Sequence, residues 1–240
     1  MNALLSMYTA TAREYLRDRT ALLLTMLLPL LMAGFFGLIF KGDQRAAYVP
    51  GMLGLGFLWL GVFGVAPPLV QMREQQVLRR LGATPLPRTT LLGAQIGWRL
   101  TTGLLQAVVL VVFGILVYGM QIPKGNWPLL TAAVVLGGMV MITIGFLLAG
   151  LGKTNESVIA LGQLVQFPMM FLSGTLFPLD MLPAFVSPIA KAMPLTYLSD
   201  ALKQLMLGTT GLFPLWADFA VMGGALVVLG ALAVRFFRWE

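Results

Sequence analysis

The sequence predicts an all-α integral membrane protein: six transmembrane helices, an N-terminal amphipathic interface helix, and short re-entrant or outer helices between spans five and six. Three observations predict it. The 240-residue chain is 58% hydrophobic but only 10% charged, with a mean hydropathy of +0.88, whereas a soluble domain carries about 25% charged residues. Uncharged runs of about the twenty residues that a bilayer requires recur along the whole chain, so this is not one anchor on a soluble body. The basic residues behind the net charge of +7 sit in short loops between those runs. That is the pattern of membrane topology, not of a nucleic-acid-binding face.

The elements follow in order. Over residues 4–20, Leu4, Leu5, Tyr8, Ala12, Tyr15 and Leu16 recur at helical steps, with Arg13, Glu14, Arg17 and Asp18 mostly opposite them. This is an amphipathic helix suited to the membrane interface. The first long apolar run starts near Ala21. It has the length of a full span and no small-residue cleavage site follows, so it reads as a transmembrane helix and not as a signal peptide. Spans are expected at about 21–40, 48–70, 97–118, 128–151, 157–176 and 215–234, in a single domain over 1–240. The second is rich in glycine (Gly51, Gly54, Gly56, Gly61 and Gly64), which lets helices approach closely in lipid. Of the lysines and arginines, eleven fall on the side of the N-terminus and five on the other. Both termini are therefore expected in the cytoplasm.

Zero cysteines and zero histidines remove disulfides, thiol catalysis and histidine-based zinc or serine hydrolysis. Asp180 and Asp200 fall in a loop, and Asp218 near the outer end of span six is expected to reach water, which argues against an intramembrane aspartyl hydrolase. Arg99 is expected to snorkel at the cytoplasmic mouth. With no ionisable residue at the centre of a span, an ion-coupled secondary transporter or channel is the weaker alternative. No catalytic and no metal-binding residues are assigned. Gln95, Gln106, Gln163, Gln166, Thr101, Thr102, Ser173 and Thr175 are polar groups within spans, suited either to lining a path or to interhelical hydrogen bonds. Gln163 and Gln166 are three residues apart and are expected on one helix face, with a kink at Pro168. Gly93 and Gly97 form a small-xxx-small pattern that either packs helices or arises by chance.

Two loops carry more information. In the 71–90 loop, Gln71 to Leu81 suits a helix that Gly82 stops. Val77, Leu78 and Leu81 make an apolar patch among the charges of Arg73, Glu74, Arg79 and Arg80. A docking element and a solvated connector both fit. The 177–212 segment is too hydrophobic for a free loop, and its prolines break it into pieces too short to span. A helical stretch is expected from Leu198 to Leu207.

These two loops resemble the membrane domain of type-2 ATP-binding-cassette exporters, the ABC-2 permease family. There, a cytoplasmic helix after the second span opens with Arg-Glu and runs through a Leu to Thr-Pro-Leu, as do Arg73-Glu74-Gln75, Leu78 and Thr84-Pro85-Leu86. Many members have Gly-Thr where this chain has Gln76-Val77. The outer motifs Ser173-Gly174, Phe177-Pro178, Leu182-Pro183 and Pro194-Leu195-Thr196 also match in order. The resemblance implies a non-catalytic permease of the bacterial inner membrane, working as a homodimer among membrane lipids and exporting a hydrophobic or amphipathic substrate. It implies a coupling helix at Arg73, Glu74, Gln75, Val77, Leu78, Arg79, Arg80 and Leu81 that docks a separate ATPase subunit. ATP and Mg would belong to that partner, and this chain would carry no cofactor and bind no nucleic acid. Gln106, Gln163, Gln166, Ser173 and Thr175 would line the pathway, with an outer gate at Phe177, Pro178 and Pro194. Gly152-Lys153-Thr154 looks like the end of a phosphate-binding loop, but Leu147 stands where that motif needs glycine.

Overall fold

The computed structural model describes residues 3–17, 19–39, 44–77, 88–176, 179 and 186–236. The elements are α1 (Ala3–Arg17), α2 (Arg19–Ile39), α3 (Gln44–Glu74), α4 (Arg88–Tyr118), a 3₁₀ turn (Lys124–Asn126), α5 (Trp127–Leu151), α6 (Asn155–Leu172), α7 (Ser187–Ala192), α8 (Pro194–Leu207) and α9 (Leu215–Phe236). The all-α membrane fold expected from the sequence is the fold adopted. Among the described residues, four stretches are long and apolar enough to cross a bilayer: Arg45–Glu74, Thr90–Tyr118, Lys124–Leu151 and Leu215–Phe236. The apolar part of α2, Thr25–Ile39, is shorter. The 18 residues of α6 include Asn155, Glu156, Gln163 and Gln166, which lower its hydropathy.

α3 and α5 form the centre. Of their apolar stretches 72% and 67% is buried, against 39% for α4 and 17% for α9. Lipid tails are as apolar as leucine, so close packing has to hold such helices together. Glycine supplies it. A Cβ at Gly61 would collide with the Met141 carbonyl, and one at Gly145 with the Gly61 carbonyl. The buried Phe57 ring of α3 occupies the hollow left by Gly103 of α4 and Gly138 of α5.

α1 packs on α4 through its predicted stripe. The rings of Tyr8 and Tyr15 meet Trp98 edge-on at 5.7 and 5.8 Å, and the Tyr8 hydroxyl donates to Thr101 Oγ1 at 2.9 Å. Gly93 and Gly97 lie beneath Leu4 and Tyr8, so that glycine pair seats the interface helix. Leu4, Leu5 and Leu16 stay exposed. Arg99 does not snorkel. It is only 8% exposed, with the Tyr15 ring 5.4 Å from its guanidinium carbon, because α1 covers it.

α8 is longer than expected and buried. Pro194 supplies its first turn, where a missing N–H costs nothing. Gly208 ends it in the left-handed region at φ 66° and donates to the Gln204 carbonyl. Leu205 O accepts from Asn126 Nδ2 at 3.0 Å, while Leu198 lies over Gly137. α8 therefore runs beside the first turns of α5, with about 10 Å of its own length between these two contacts, at 1.5 Å per residue. Its inner end brings Leu195 against Gly54 of α3.

Candidate functional site

At one end of the bundle α3 continues past its apolar stretch. The expected helix from Gln71 to Leu81 is not continuous: Gln71–Glu74 are the last turn of α3 itself. A turn at Gln75–Gln76 follows, with Gln76 at φ 59°, a left-handed conformation that only glycine adopts cheaply. Val77 comes after that turn. Leu78, Arg79, Arg80 and Leu81 lie outside the described residues.

Arg73 and Glu74 reach across to the α5–α6 junction. Arg73 donates to the carbonyls of Gly152, Lys153 (3.1 Å) and Ala149 (3.4 Å). Glu74 Oε1 accepts from the Asn155 backbone N–H at 3.0 Å. The chemistry follows from helix ends. The last carbonyls of α5 lack intrahelical partners and carry partial negative charge, which a guanidinium satisfies. The first amides of α6 carry the opposite charge, which a carboxylate satisfies. Thr154 completes the start of α6, its hydroxyl accepting from Ser157 N at 3.2 Å while Ser157 Oγ accepts from Thr154 N at 3.0 Å. The Gly152-Lys153-Thr154 tripeptide is thus a helix stop followed by a helix start. Thr154-x-x-Ser157 between two apolar runs is the signal that sequence reading missed.

The mid-bundle candidates separate. Gln106 is 2% exposed and sits against Gly56, with neither atom of its amide paired. Gln166 is buried with Oε1 unpaired. Gln163 is exposed, so the two glutamines of α6 have different surroundings despite their spacing. Ser173 and Thr175 are buried and bond each other at 3.1 Å, and Thr175 also donates to the Met170 carbonyl at 2.8 Å. Gly51 of α3 lies directly against the Thr175 carbonyl.

At the far end α8 and α9 are joined by polar contacts. Gln204 Nε2 lies within hydrogen-bond reach of Asp200 Oδ2 (3.2 Å), Asp218 Oδ2 (3.0 Å) and the Phe213 carbonyl (3.0 Å). Asp200 accepts from the backbone N–H groups of Leu212 and Phe213 at 2.9 and 3.0 Å. The expectation that Asp218 reaches water is overturned. It is 0% exposed, because α8 and the 208–214 loop fold over the start of α9. Lys203 Nζ donates to the Gly174 carbonyl. Burial lowers its pKa from the usual lysine value, and Asp200 partly offsets this. Burial raises the Tyr197 phenol, with Asp218 adding to the effect; its hydroxyl donates to the Lys191 carbonyl at 2.7 Å. Pro194 opens α8, whereas Phe177 and Pro178 lie outside the described residues.

Comparison with known proteins bears on this architecture. Residues 2–207 match the family model described as ABC-2 type transporter. Over 134 residues the chain is 30% identical to ABC transporter G family member 20 of Dictyostelium discoideum, covering 55% of this chain and 18% of that protein. Over 141 residues it is 26% identical to Nodulation protein J of Rhizobium leguminosarum bv. viciae, covering 58% and 52%. Over 198 residues it is 24% identical to the Escherichia coli (strain K12) protein named Probable multidrug ABC transporter permease YbhR, covering 82% and 53%. The chain thus spans under a fifth of the first relative and about half of the other two. With most of its length matched and its helices arranged as described, the chain belongs to the ABC-2 type transporter family as an all-helical, multi-pass membrane protein.

Proposed function

We propose that the chain is the permease subunit of an ATP-driven exporter. A separate ATPase subunit carrying ATP and Mg docks on the loop that begins at Arg73–Glu74. A second copy of the chain completes the pathway. All six candidate helices cross the bacterial inner membrane, and both termini are cytoplasmic. The substrate is hydrophobic or amphipathic (a drug, a lipid or a lipid-linked glycan). It passes the amides and hydroxyls of Gln106, Gln163, Gln166, Ser173 and Thr175 and leaves by a gate at Phe177, Pro178 and Pro194. This chain itself performs no catalysis. One relative's name speaks of multidrug transport, which fits such a substrate.

The observation that carries this reading is the Arg73–Glu74 clamp. A push on the docking loop reaches α3 directly and the α5–α6 junction through four hydrogen bonds. α3 in turn touches the far end at Thr175. The test is expression with a candidate ATPase subunit, followed by pull-down in mild detergent. Wild type is expected to retain the ATPase, and the triple variant Val77→Asp, Leu78→Asp, Leu81→Asp to lose it while still folding. A chain that binds no ATPase but moves solute down an ion gradient when purified alone would establish the secondary-transporter alternative instead.

A further inference from the structure

The start of α9 carries a carboxylate that the fold withdraws completely. Asp218 is 0% exposed, and its Oδ1 has no hydrogen-bond partner. Its Oδ2 faces Gln204 Nε2 of α8 at 3.0 Å. The same nitrogen lies 3.2 Å from Asp200 Oδ2 and 3.0 Å from the Phe213 carbonyl. Two carboxylates thus converge on one amide. The cluster lies far from the docking loop. α8 holds Gly174 through Lys203, and Gly51, which touches Thr175, is separated from Glu74 by about 35 Å of helix.

A census of donors separates the two acids. An amide nitrogen has two hydrogens, here facing three oxygens. Asp200 does not depend on them. The backbone N–H groups of Leu212 and Phe213 donate to it, and its charge acts on the neighbouring Lys203 ammonium. Asp218 has only the Gln204 amide. α5 and α8 are the helices packed on α9. α5 carries no ionisable side chain, and neither does the 208–214 loop. α8 brings Tyr197, Asp200 and Lys203, but the Tyr197 hydroxyl donates to the Lys191 carbonyl and Lys203 to that of Gly174. Arg235 of α9 stands about 25 Å along the helix. An ionised carboxylate so buried and so poorly served is costly. Two carboxylates at one site are relieved when one of them takes a proton. Asp218 Oδ1 is sealed from solvent, so a hydrogen fits where a hydrated metal ion does not.

We propose that Asp218 is a proton-binding site, occupied while α8 and α9 are clasped together, with Asp200 remaining ionised. A proton taken from water converts the Asp218 carboxylate to a carboxylic acid, and Gln204 then bridges one negative group and one neutral group. Loss of that proton sets two negative charges about Gln204. The clasp loosens and frees the 208–214 loop, which Asp200 and Gln204 hold. This end of the bundle thereby responds to pH. The site does not depend on ATPase docking, so it stands or falls separately from the exporter reading.

The test uses the purified full chain in detergent. The first readout is the infrared absorption of a protonated carboxyl group at neutral pH, where ordinary carboxylates are ionised. Wild type and Glu156→Gln, which alters an exposed acid on α6, are expected to show the band, and Asp218→Asn to lack it. Raising the pH is expected to remove it from wild type, a check that needs no variant. The second readout is thermal unfolding. From about pH 5 to neutral the unfolded chain has its carboxylates ionised while the folded chain holds the extra proton, so stability falls as pH rises. Across that range the wild-type midpoint is expected to fall by at least about 3 °C relative to that of Asp218→Asn. The third is a spin label on Leu212→Cys, in a chain with no other cysteine. Its mobility is expected to rise with pH beside Asp218 and to stay constant beside Asp218→Asn. A wild-type spectrum without the band at neutral pH, a band retained in Asp218→Asn, parallel stability profiles, or a label whose mobility ignores pH overturns the proposal.

Discussion

At the scale of single residues, Arg73 does the most with one side chain. It holds three carbonyls across the α5–α6 junction, and hydrogen bonds from a charged group contribute about 1.5–3 kcal/mol where they are well formed. Arg73→Ala is expected to lower stability by about 2 kcal/mol, read by thermal unfolding in detergent. Arg73→Lys is expected to fall between the two, because an ammonium keeps the charge but not the planar fork. Lys203 gives a prediction in pH. Burial holds its folded pKa below the ordinary lysine value of 10.5, so between the two the unfolded chain holds more protons than the folded one. Stability therefore rises with pH across that window. As pH rises toward 10.5, wild type is expected to gain stability relative to Lys203→Met. A parallel pH profile for the two would contradict it. Neither residue's contacts were legible in the sequence. Arg-Glu after a span reads as positive-inside charge until the α5–α6 junction is seen beside it. Asp218 reads as water-exposed until α8 is seen to cover it.

At the scale of elements, the helices themselves were legible, because about twenty uncharged residues in a row admit few other structures. Their ends were less so. Gln76 stops α3 in a left-handed conformation without being glycine, although it stands where many family members carry one. The packing surfaces rest on glycine, which makes a sharp prediction. Gly61→Val is expected to cost about 1–3 kcal/mol, since the new side chain meets the Met141 backbone and not a flexible tip. Gly224 of α9 has nothing within 4 Å of a built Cβ. Gly224→Ala is expected to raise stability by about 0.5–1 kcal/mol through helix propensity alone. Unfolding midpoints of the two variants, measured side by side, check both.

At the scale of the molecule, composition revealed the solvent before any element was assigned. The structure agrees in where it leaves its apolar surface. Leu38, Leu116, Leu164, Val227 and Val234 are each at least 70% exposed, and they lie on α2, α4, α6 and α9 around the α3–α5 centre. In water such surface would drive aggregation. Against acyl chains it costs nothing, and part of it is available to a second copy. The candidate pathway was less legible than the fold. Three-residue spacing put Gln163 and Gln166 together, but only packing against α3 decides that Gln166 is buried and Gln163 is not.

The backbone contact of Gly61 with Met141 and Gly145 has a mechanical consequence. With no side chains between them there, α3 and α5 can tilt about that point but cannot slide past it without separating. It is a fulcrum. About 20 Å of α3 separates it from Glu74 and about 15 Å from Gly51. A sideways shift at the docking loop is therefore expected to arrive at Thr175 reversed in direction and reduced by about a quarter. Because the chain has no cysteine, single cysteines can be introduced for spin labels at Gln71 and near Thr175. Distances from each to a label on α5 are expected to change in opposite senses when nucleotide is added to the assembled transporter. Changes in the same sense would mean that α3 moves as a piston and that the glycine contact gives way.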